Sequence, residues 1–366
     1  MLQSLRWYGL RLLLALVIFL ITGEILVRAL DVVDRLNGYQ RSLYTRGPSR
    51  ELAYLLRPGL ETTQFGIPVR VNRFGLRGPE IAPAPAPGVR RVLMLGDSLM
   101  FGTGLAEAET LSSAVQARLN ADGPPLYEVL NAGVPGYNTG SEVRLFERLG
   151  GALTPWAAVL AVSLNDFRDA PQLSPVGFLT YRPEPPRLAD HSEFLVLLRW
   201  ALEYRQGKLW HQFMQRAEDA SARRDPERVA RSSAAVDRWV QKQHLEFYSA
   251  PDPARLSAIR TALAELRALA AARGIRLLVA IFPEGFQVGV SNPDLTPQRV
   301  WQDACRATGV TCVDLHAAFA AEGGDLFQDT QHPNARGHVV ASAIIAEALA
   351  GETAQIRDAG DARPDS

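Results

Sequence analysis

The chain of 366 residues has little cysteine, little histidine and no excess of charge of either sign. Its two cysteines, Cys305 and Cys312, belong to no Cys-x-x-Cys pair, which argues against a zinc ribbon or a thioredoxin-like dithiol. Two readings of them stand: a disulfide clipping a helix end to the next strand in an oxidising compartment, or two ordinary buried thiols. Spacing alone does not fix the Cα geometry that decides between them. The six histidines show no metal-ligand spacing, so no metal site and no cofactor are expected. Lys+Arg and Asp+Glu balance at 39 each, which leaves no global positive field to recruit nucleic acid. No block of like charges marks an interaction tail, and no internal repeat is visible.

Apolar residues are plentiful at 47%, enough for a sizeable core in one large domain or two small ones. The longest apolar run, Leu12 to Ile21, lies near the N-terminus. As a helix over about Tyr8 to Val27 it would cover roughly 30 Å, the thickness of a hydrocarbon core. Residues 8–30 are therefore expected to be a single transmembrane anchor. Trp7 and Tyr8 suit one interface; Glu24 and Arg28, four apart, can pair near the other. The rival is a cleaved signal peptide, but Thr22-Gly23-Glu24 runs back into Ile25-Leu26-Val27 without a small-x-small cleavage site, which favours an uncleaved anchor. Arginines flank the span on both sides (Arg6 and Arg11 before; Arg28, Arg35, Arg41 and Arg46 after), so charge does not decide the orientation. The short, signal-like N-terminal tail favours the N-terminus inside and the rest of the chain periplasmic or otherwise extracytoplasmic.

Residues 31–88 read as a connecting segment that ends in the proline-rich linker Ala82 to Gly88. After it, short apolar strands alternate with helices. Strands are expected at Arg91–Leu95, Tyr127–Leu130, Ala157–Ser163, Ile275–Phe282 and Val310–Leu315. Helices are expected at Thr110–Asn120, Ser141–Leu149, Pro253–Arg273, Thr296–Thr308 and from Asn334 to Ala350. This alternation predicts a parallel sheet covered on both faces, an α/β domain over 89–350. Residues 167–250 break the pattern and read as a helical insertion. In it Leu195, Leu198, Leu202, Leu209 and Phe213 suggest an apolar face, and Arg216 to Arg231 are charged. The polar residues 351–366 read as a disordered tail.

Four short clusters follow predicted strands or precede the last helix, the places where open parallel sheets build their sites. Gly96-Asp97-Ser98-Leu99 would expose a hydroxyl at a strand exit; such a group needs a base to become nucleophilic, and otherwise such serines only cap helices. Asn131-Ala132-Gly133-Val134-Pro135-Gly136 offers backbone N–H groups to a ligand, or a plain turn. Ser163-Leu164-Asn165-Asp166 offers a side-chain amide to an oxyanion, or a loop start. Asp329-Thr330-Gln331-His332 pairs an imidazole with a carboxylate that can fix its tautomer, or is a structural pair. His338, two turns into the last helix, is expected to serve packing or surface.

Together the four clusters resemble the blocks of the SGNH/GDSL hydrolases over about residues 90–350. The resemblance implies a flavodoxin-like α/β/α sandwich, with Ser98 as nucleophile and His332 and Asp329 as its partners. It also implies an oxyanion hole from Ser98 N–H, Gly136 N–H (Gly133 being the second candidate) and Asn165. Ser163 departs from the family pattern, which has glycine there. The anchor, the stretch Asn72 to Gly78 and the insertion resemble a membrane-attached bacterial subgroup. The function expected is a serine esterase acting on acyl esters, O-acetyl esters foremost, of a cell-envelope or exported glycan or a lipid. The alternatives are an O-acetyltransferase acting on polysaccharide and a non-catalytic glycan-binding or assembly protein on the same fold.

Overall fold

The computed structural model describes residues 2–32, 43–174 (without 122, 124 and 125), 179–180, 188–199, 201–202 and 252–360 (without 291 and 330). The chain divides into two compact units. One, over 1–43 and 172–232, contains helix α1 (Leu2–Ala29) and a helical stretch over 193–199 and 201–202. The other, over 44–171 and 233–366, is the α/β unit.

Four strands open the α/β unit: β1 (Tyr44–Arg46) pairs antiparallel with β2 (Tyr54–Leu56), and β3 (Glu61–Gln64) with β4 (Ile67–Arg70). The central sheet begins with β5 (Arg90–Gly96), followed by α2 (Ser98–Phe101), α3 (Leu111–Leu119), β6 (Tyr127–Gly133), α4 (Thr139–Gly150) and β7 (Ala157–Val162). A two-residue pair, β8 (Gln172–Leu173) with β9 (Leu179–Thr180), lies in the other unit. The sheet resumes with α5 (Pro253–Ala271), β10 (Arg276–Ile281), α6 (Thr296–Thr308), β11 (Thr311–Asp314), α7 (His316–Glu322) and α8 (Ala335–Gly360).

All five central strands are parallel, as the alternation predicts, and their order β11-β10-β7-β5-β6 is the flavodoxin-like arrangement that the resemblance implies. Their side chains alternate between two buried faces, because successive Cβ atoms in a strand point opposite ways. Val92, Met94, Val159, Ala161, Leu278 and Ala280 share one core with Leu111 and Val115 of α3 and Ala341, Ile345 and Leu349 of α8. The intervening Leu93, Leu95, Leu160, Val279 and Ile281 are equally buried, and α4, α5 and α6 pack in succession. The order of connection reverses between β6 and β7, both of which flank β5. The exit of β5 is thus the topological switch point where such sheets hold ligands.

Three differences from the sequence reading have physical causes. Residues 44–81 belong to the same compact unit as the sheet instead of standing apart as a connection. The rings of Tyr44, Tyr54 and Tyr137 pack edge to face, and Val71 and Leu76 are fully buried. The proline-rich stretch is tied at its start. The buried Arg91 guanidinium donates to the carbonyls of Ala82, Pro83 and Leu153 and pairs with Glu128 at 2.7 Å. The last helix runs on to Gly360, past the residue where a tail was expected; residues 361–366 lie outside the described residues. Of the insertion, Leu209, Phe213 and the charged run from 216 to 231 also lie outside them. Cys305, near the end of α6, is joined to Cys312 in β11 by a disulfide with Cα atoms 6.2 Å apart, within the usual span for such a bridge.

Candidate active site

The β5 strand delivers Ser98 to the sheet top because Gly96 and Asp97 turn the chain there. Gly96 sits at φ +156, and its Cα lies so close to Met100 and Ala161 that a side chain would collide with them. Asp97 caps α2 by accepting from Leu99 N–H at 2.9 Å. Ser98, the first residue of that helix, is half-buried, and its Oγ lies 2.9 Å from His332 Nε2 although 234 residues separate them in the chain. His332 Nδ1 lies 2.8 Å from Asp329 Oδ2, while Asp329 Oδ1 accepts from the backbone N–H groups of Gln331 and His332, both at 2.8 Å. With Nδ1–H donating to Asp329, Nε2 is left as the acceptor for the Ser98 hydroxyl. Ser98, His332 and Asp329 are therefore brought into one chain of hydrogen bonds.

Electrostatics follow the geometry. Burial works against the His332 imidazolium, but the bond to Asp329 and the charges of Asp329 and Asp97 outweigh it and hold the pKa above its ordinary value. Burial also pushes Asp329 up; donation from the His332 ring and from two backbone N–H groups reverses this and holds the carboxyl at about 2. Asp329 therefore stays ionised and keeps the imidazole more basic than it would otherwise be.

Gly133 and Gly136 separate clearly. Gly133 N–H donates to Asn131 Oδ1 at 3.0 Å, and a Cβ there would strike the Phe101 backbone. Its role is to let β6 pass against α2. Gly136 has φ +84, and among the described residues nothing accepts from its N–H. Val134 N–H donates to Gly96 carbonyl at 3.0 Å, which seats this loop at the exit of β5. Tyr54 from the segment before the sheet donates to Pro135 carbonyl at 2.8 Å, bracing the residue next to Gly136.

Asn165 is half-buried and its Nδ2 donates to Asp97 Oδ2, the carboxylate oxygen 3.4 Å from Ser98 Oγ. Ser163, the residue that departs from the family pattern, donates from Oγ to Asn165 Oδ1 at 2.8 Å. The substitution of serine for glycine thus sets which way the amide faces. Asp97, Ser163, Tyr54 and Arg77 were not singled out as site residues from the sequence. Asp97 and Ser163 lay inside the recognised clusters; Arg77 and Tyr54 carried no local signal, because their partners are distant in the chain. His338 is buried in α8 and its Nδ1 lies 3.1 Å from Glu109 carbonyl, a packing role.

Behind these loops lie three fully buried carboxyls. Asp166 accepts from Thr139 Oγ and Ser163 N–H, and Glu284 from Leu164 N–H. Neither oxygen of Glu142 has a partner among the described residues. Burial, then the neighbouring carboxylates, raises Asp166 and Glu142, and burial raises Glu284 to about 8. A carboxyl whose pKa is raised by folding binds its proton more tightly in the folded state. Its contribution to stability is complete below the unfolded value near 4 and is lost as pH rises through the folded value. The melting temperature is expected to fall between pH 5 and pH 9, and Glu142→Gln should flatten that fall. Melting followed by circular dichroism across this range is the check; a wild-type profile rising toward pH 9 would contradict the assignment.

A family model described as GDSL-like lipase/acylhydrolase matches residues 94–340, about two thirds of the chain. The chain belongs to this family. It is a serine hydrolase of the GDSL type on the SGNH fold. Among solved structures it is similar to a lipase/acylhydrolase from Enterococcus faecalis (14% identity, TM-score 0.41, covering 72% of this chain and 97% of that one). It is also similar to a psychrotrophic esterase from Pseudoalteromonas sp. (12%, TM-score 0.40, 72% and 98%). A third is a catalytic mutant of an acetylxylan esterase from Geobacillus stearothermophilus (16%, TM-score 0.39, 69% and 90%). No curated protein matches the chain.

Proposed function

We propose that this GDSL hydrolase is a membrane-anchored esterase that removes O-acetyl or related short acyl groups from a cell-envelope or exported glycan or lipid. Its catalytic triad is Ser98, His332 and Asp329. The observation that carries the triad is the 2.9 Å approach of Ser98 Oγ to His332 Nε2. Ser98 Oγ attacks the ester carbonyl while its proton passes to His332 Nε2, and Asp329 stabilises the imidazolium. The oxyanion is held by the N–H groups of Ser98 and Gly136 and by the second N–H of Asn165 Nδ2. The alcohol leaves with the proton from His332. Water then attacks the acyl-Ser98 ester, again through His332, and releases the acid. The half-buried oxyanion loops and the exposed Asp329 make a site open at its rim, which suits an ester displayed on a bulky substrate.

The α1 helix supports the anchor: Trp7–Ala29 is 23 residues long and contains an 18-residue window with a mean hydropathy of 2.4, a length and composition that a signal sequence can share. The Cys305–Cys312 disulfide supports reading the catalytic unit as lying outside the cytoplasm, since such bonds persist in oxidising compartments.

Two measurements test the reading. A fluorophosphonate probe is expected to label the wild-type protein and not Ser98→Ala; an unlabelled wild type beside a labelled control esterase would leave a binding protein. Incubation with acetylated glycan is expected to release free acetate. Acetyl groups appearing on an acceptor sugar instead would make the enzyme an O-acetyltransferase, with a sugar hydroxyl taking the place of water.

A further inference from the structure

The unit that contains α1 has a second apolar element. Residues 193–199 and 201–202 are helical, and the first turn of this stretch packs on α1. The Phe194 ring meets the Phe19 ring edge to face with centroids 5.4 Å apart, and it lies so close to Gly23 that a Cβ there would stand 2.9 Å from it. Val27 is buried by Phe194, Val196 and Leu197. If α1 spans a bilayer over Trp7–Ala29, a rise of 1.5 Å per residue sets Gly23 about 9 Å and Phe19 about 15 Å inside the outer edge of the span. The helix beginning at 193 then starts below the lipid surface.

A helix terminus in that layer leaves unsatisfied N–H groups, each costing several kcal/mol without water. Here they are satisfied by α1. The Glu24 carboxylate accepts from Ser192 Oγ at 2.7 Å, from Phe194 N–H at 2.9 Å and from Glu193 N–H at 3.1 Å. Arg28 pairs with Glu24 at 2.6 Å and with Glu193 at 3.3 Å, and donates to His191 carbonyl. The two charges that interrupt the apolar end of α1 thus pair with each other and cap the short helix, with Glu193 as a second carboxylate on Arg28. The short helix exposes Leu198 (46%) and Leu202 (54%), one and two turns beyond Phe194 on the same face. On α1 itself Ile21, Ile25 and Leu26 are exposed to a similar degree, Ile21 and Ile25 on the face turned away from Phe194. Outside this unit only Phe65, Leu126 and Val339 are large exposed apolar residues among the described ones.

We propose that residues 192–199 and 201–202 belong to a second membrane element, docked on the anchor through Glu24 and Arg28, with Leu198 and Leu202 facing lipid acyl chains of the outer leaflet. The proposal rests on the anchor reading of α1. It makes the anchor a structural part of the mature protein, since its removal would strip the second helix of its cap. The apolar stripe fits a lipid surface better than a protein groove, because Phe194, one turn before Leu198 on the same face, already lies against Phe19 and Gly23 within the span.

The test uses the full chain in vesicles of phosphatidylethanolamine and phosphatidylglycerol, spin-labelled at one of four introduced cysteines: Leu198→Cys, Leu202→Cys, Ile18→Cys and Phe65→Cys. Collisions with oxygen are expected to dominate those with a water-soluble nickel chelate at 198 and 202, as at 18, and the reverse at 65. Adding Glu24→Leu to Leu198→Cys should shift its label toward the nickel-accessible behaviour of 65. Nickel access at 198 and 202 with a lipid-like signal at 18 would overturn the proposal while leaving the anchor standing. Nickel access at 18 as well would overturn both. Protection from both reagents at 198 and 202 would mean that protein, a second copy or another chain, covers the stripe, and would also overturn it.

Discussion

The Ser98→Ala protein is expected to hydrolyse an activated acetyl ester at least about 10⁴-fold more slowly than wild type, with its fold intact. The two halves of that expectation have different origins. The hydroxyl is half-buried and bonds to His332, so removing it costs about one net hydrogen bond, on the order of 1 kcal/mol. Its loss from the reaction is total, since no acyl-enzyme can form. His332→Ala should fall about as far, because residues that act as a unit fail as one. Asp329→Asn should fall less and reveal its role in the pH profile. The base works when neutral, so kcat/KM is expected to rise with pH through the His332 pKa. Asp329 holds that pKa up, and its neutralisation should move the rise to lower pH while lowering the plateau. Steady-state rates on p-nitrophenyl acetate from pH 5 to 9 check all three. A Ser98→Ala protein retaining the wild-type rate would end the triad assignment.

The parts legible in the sequence are those encoded over short windows. The three inner strands of the central sheet, β5, β7 and β10, carry apolar runs buried on both faces, and the alternation with helices carries the topology. The residues gathered at the exit of β5 were legible because each sits in a cluster that follows a strand or precedes the last helix. What was not legible depends on pairings across long separations. Nothing around Arg77 in the chain names its partners, which lie 24 to 28 residues away. Tyr54 reaches Pro135 over 81 residues. Alternating prolines argue for a spacer, and nothing local reveals that the carbonyls of Ala82 and Pro83 are held by Arg91. The Ser163 departure was visible, but its effect on the amide of Asn165 is a matter of side-chain direction that sequence does not carry.

The second large effect is expected at Arg77, outside the recognised motifs. Its buried guanidinium donates to the carbonyls of Phe101 and Gly102 at 2.7 Å and of Leu105 at 2.6 Å, and it lies 4.7 Å from the Phe101 ring centre. These carbonyls close the C-terminal side of α2, the helix whose first residue is Ser98. Asn131 adds a bond to the Phe101 carbonyl and accepts from Arg77 N–H, so the residue also stitches the preceding segment to β6. Burial lowers the guanidinium pKa to about 10, which still leaves it charged at neutral pH. Arg77→Met would leave the Leu105 carbonyl without a donor, at about 1–3 kcal/mol, and would take one bond each from the Phe101 and Gly102 carbonyls, which keep Asn131 Nδ2 and Leu105 N–H; the charge no longer being desolvated offsets part of this. A net loss of about 3–5 kcal/mol is expected, a large fraction of the stability of an ordinary domain. Arg77→Lys should recover little, since an ammonium cannot fork across three acceptors. The exposed Arg70–Glu107 pair is the control: both side chains are solvated, and Arg70→Ala should cost about 1 kcal/mol or less. In protein that remains folded, release of α2 should misplace Ser98 and lower kcat by about 10²-fold while KM changes little. Urea unfolding and steady-state kinetics on the two variants decide the matter: an Arg77→Met protein as stable and as active as Arg70→Ala would show that α2 holds its place without the segment before the sheet.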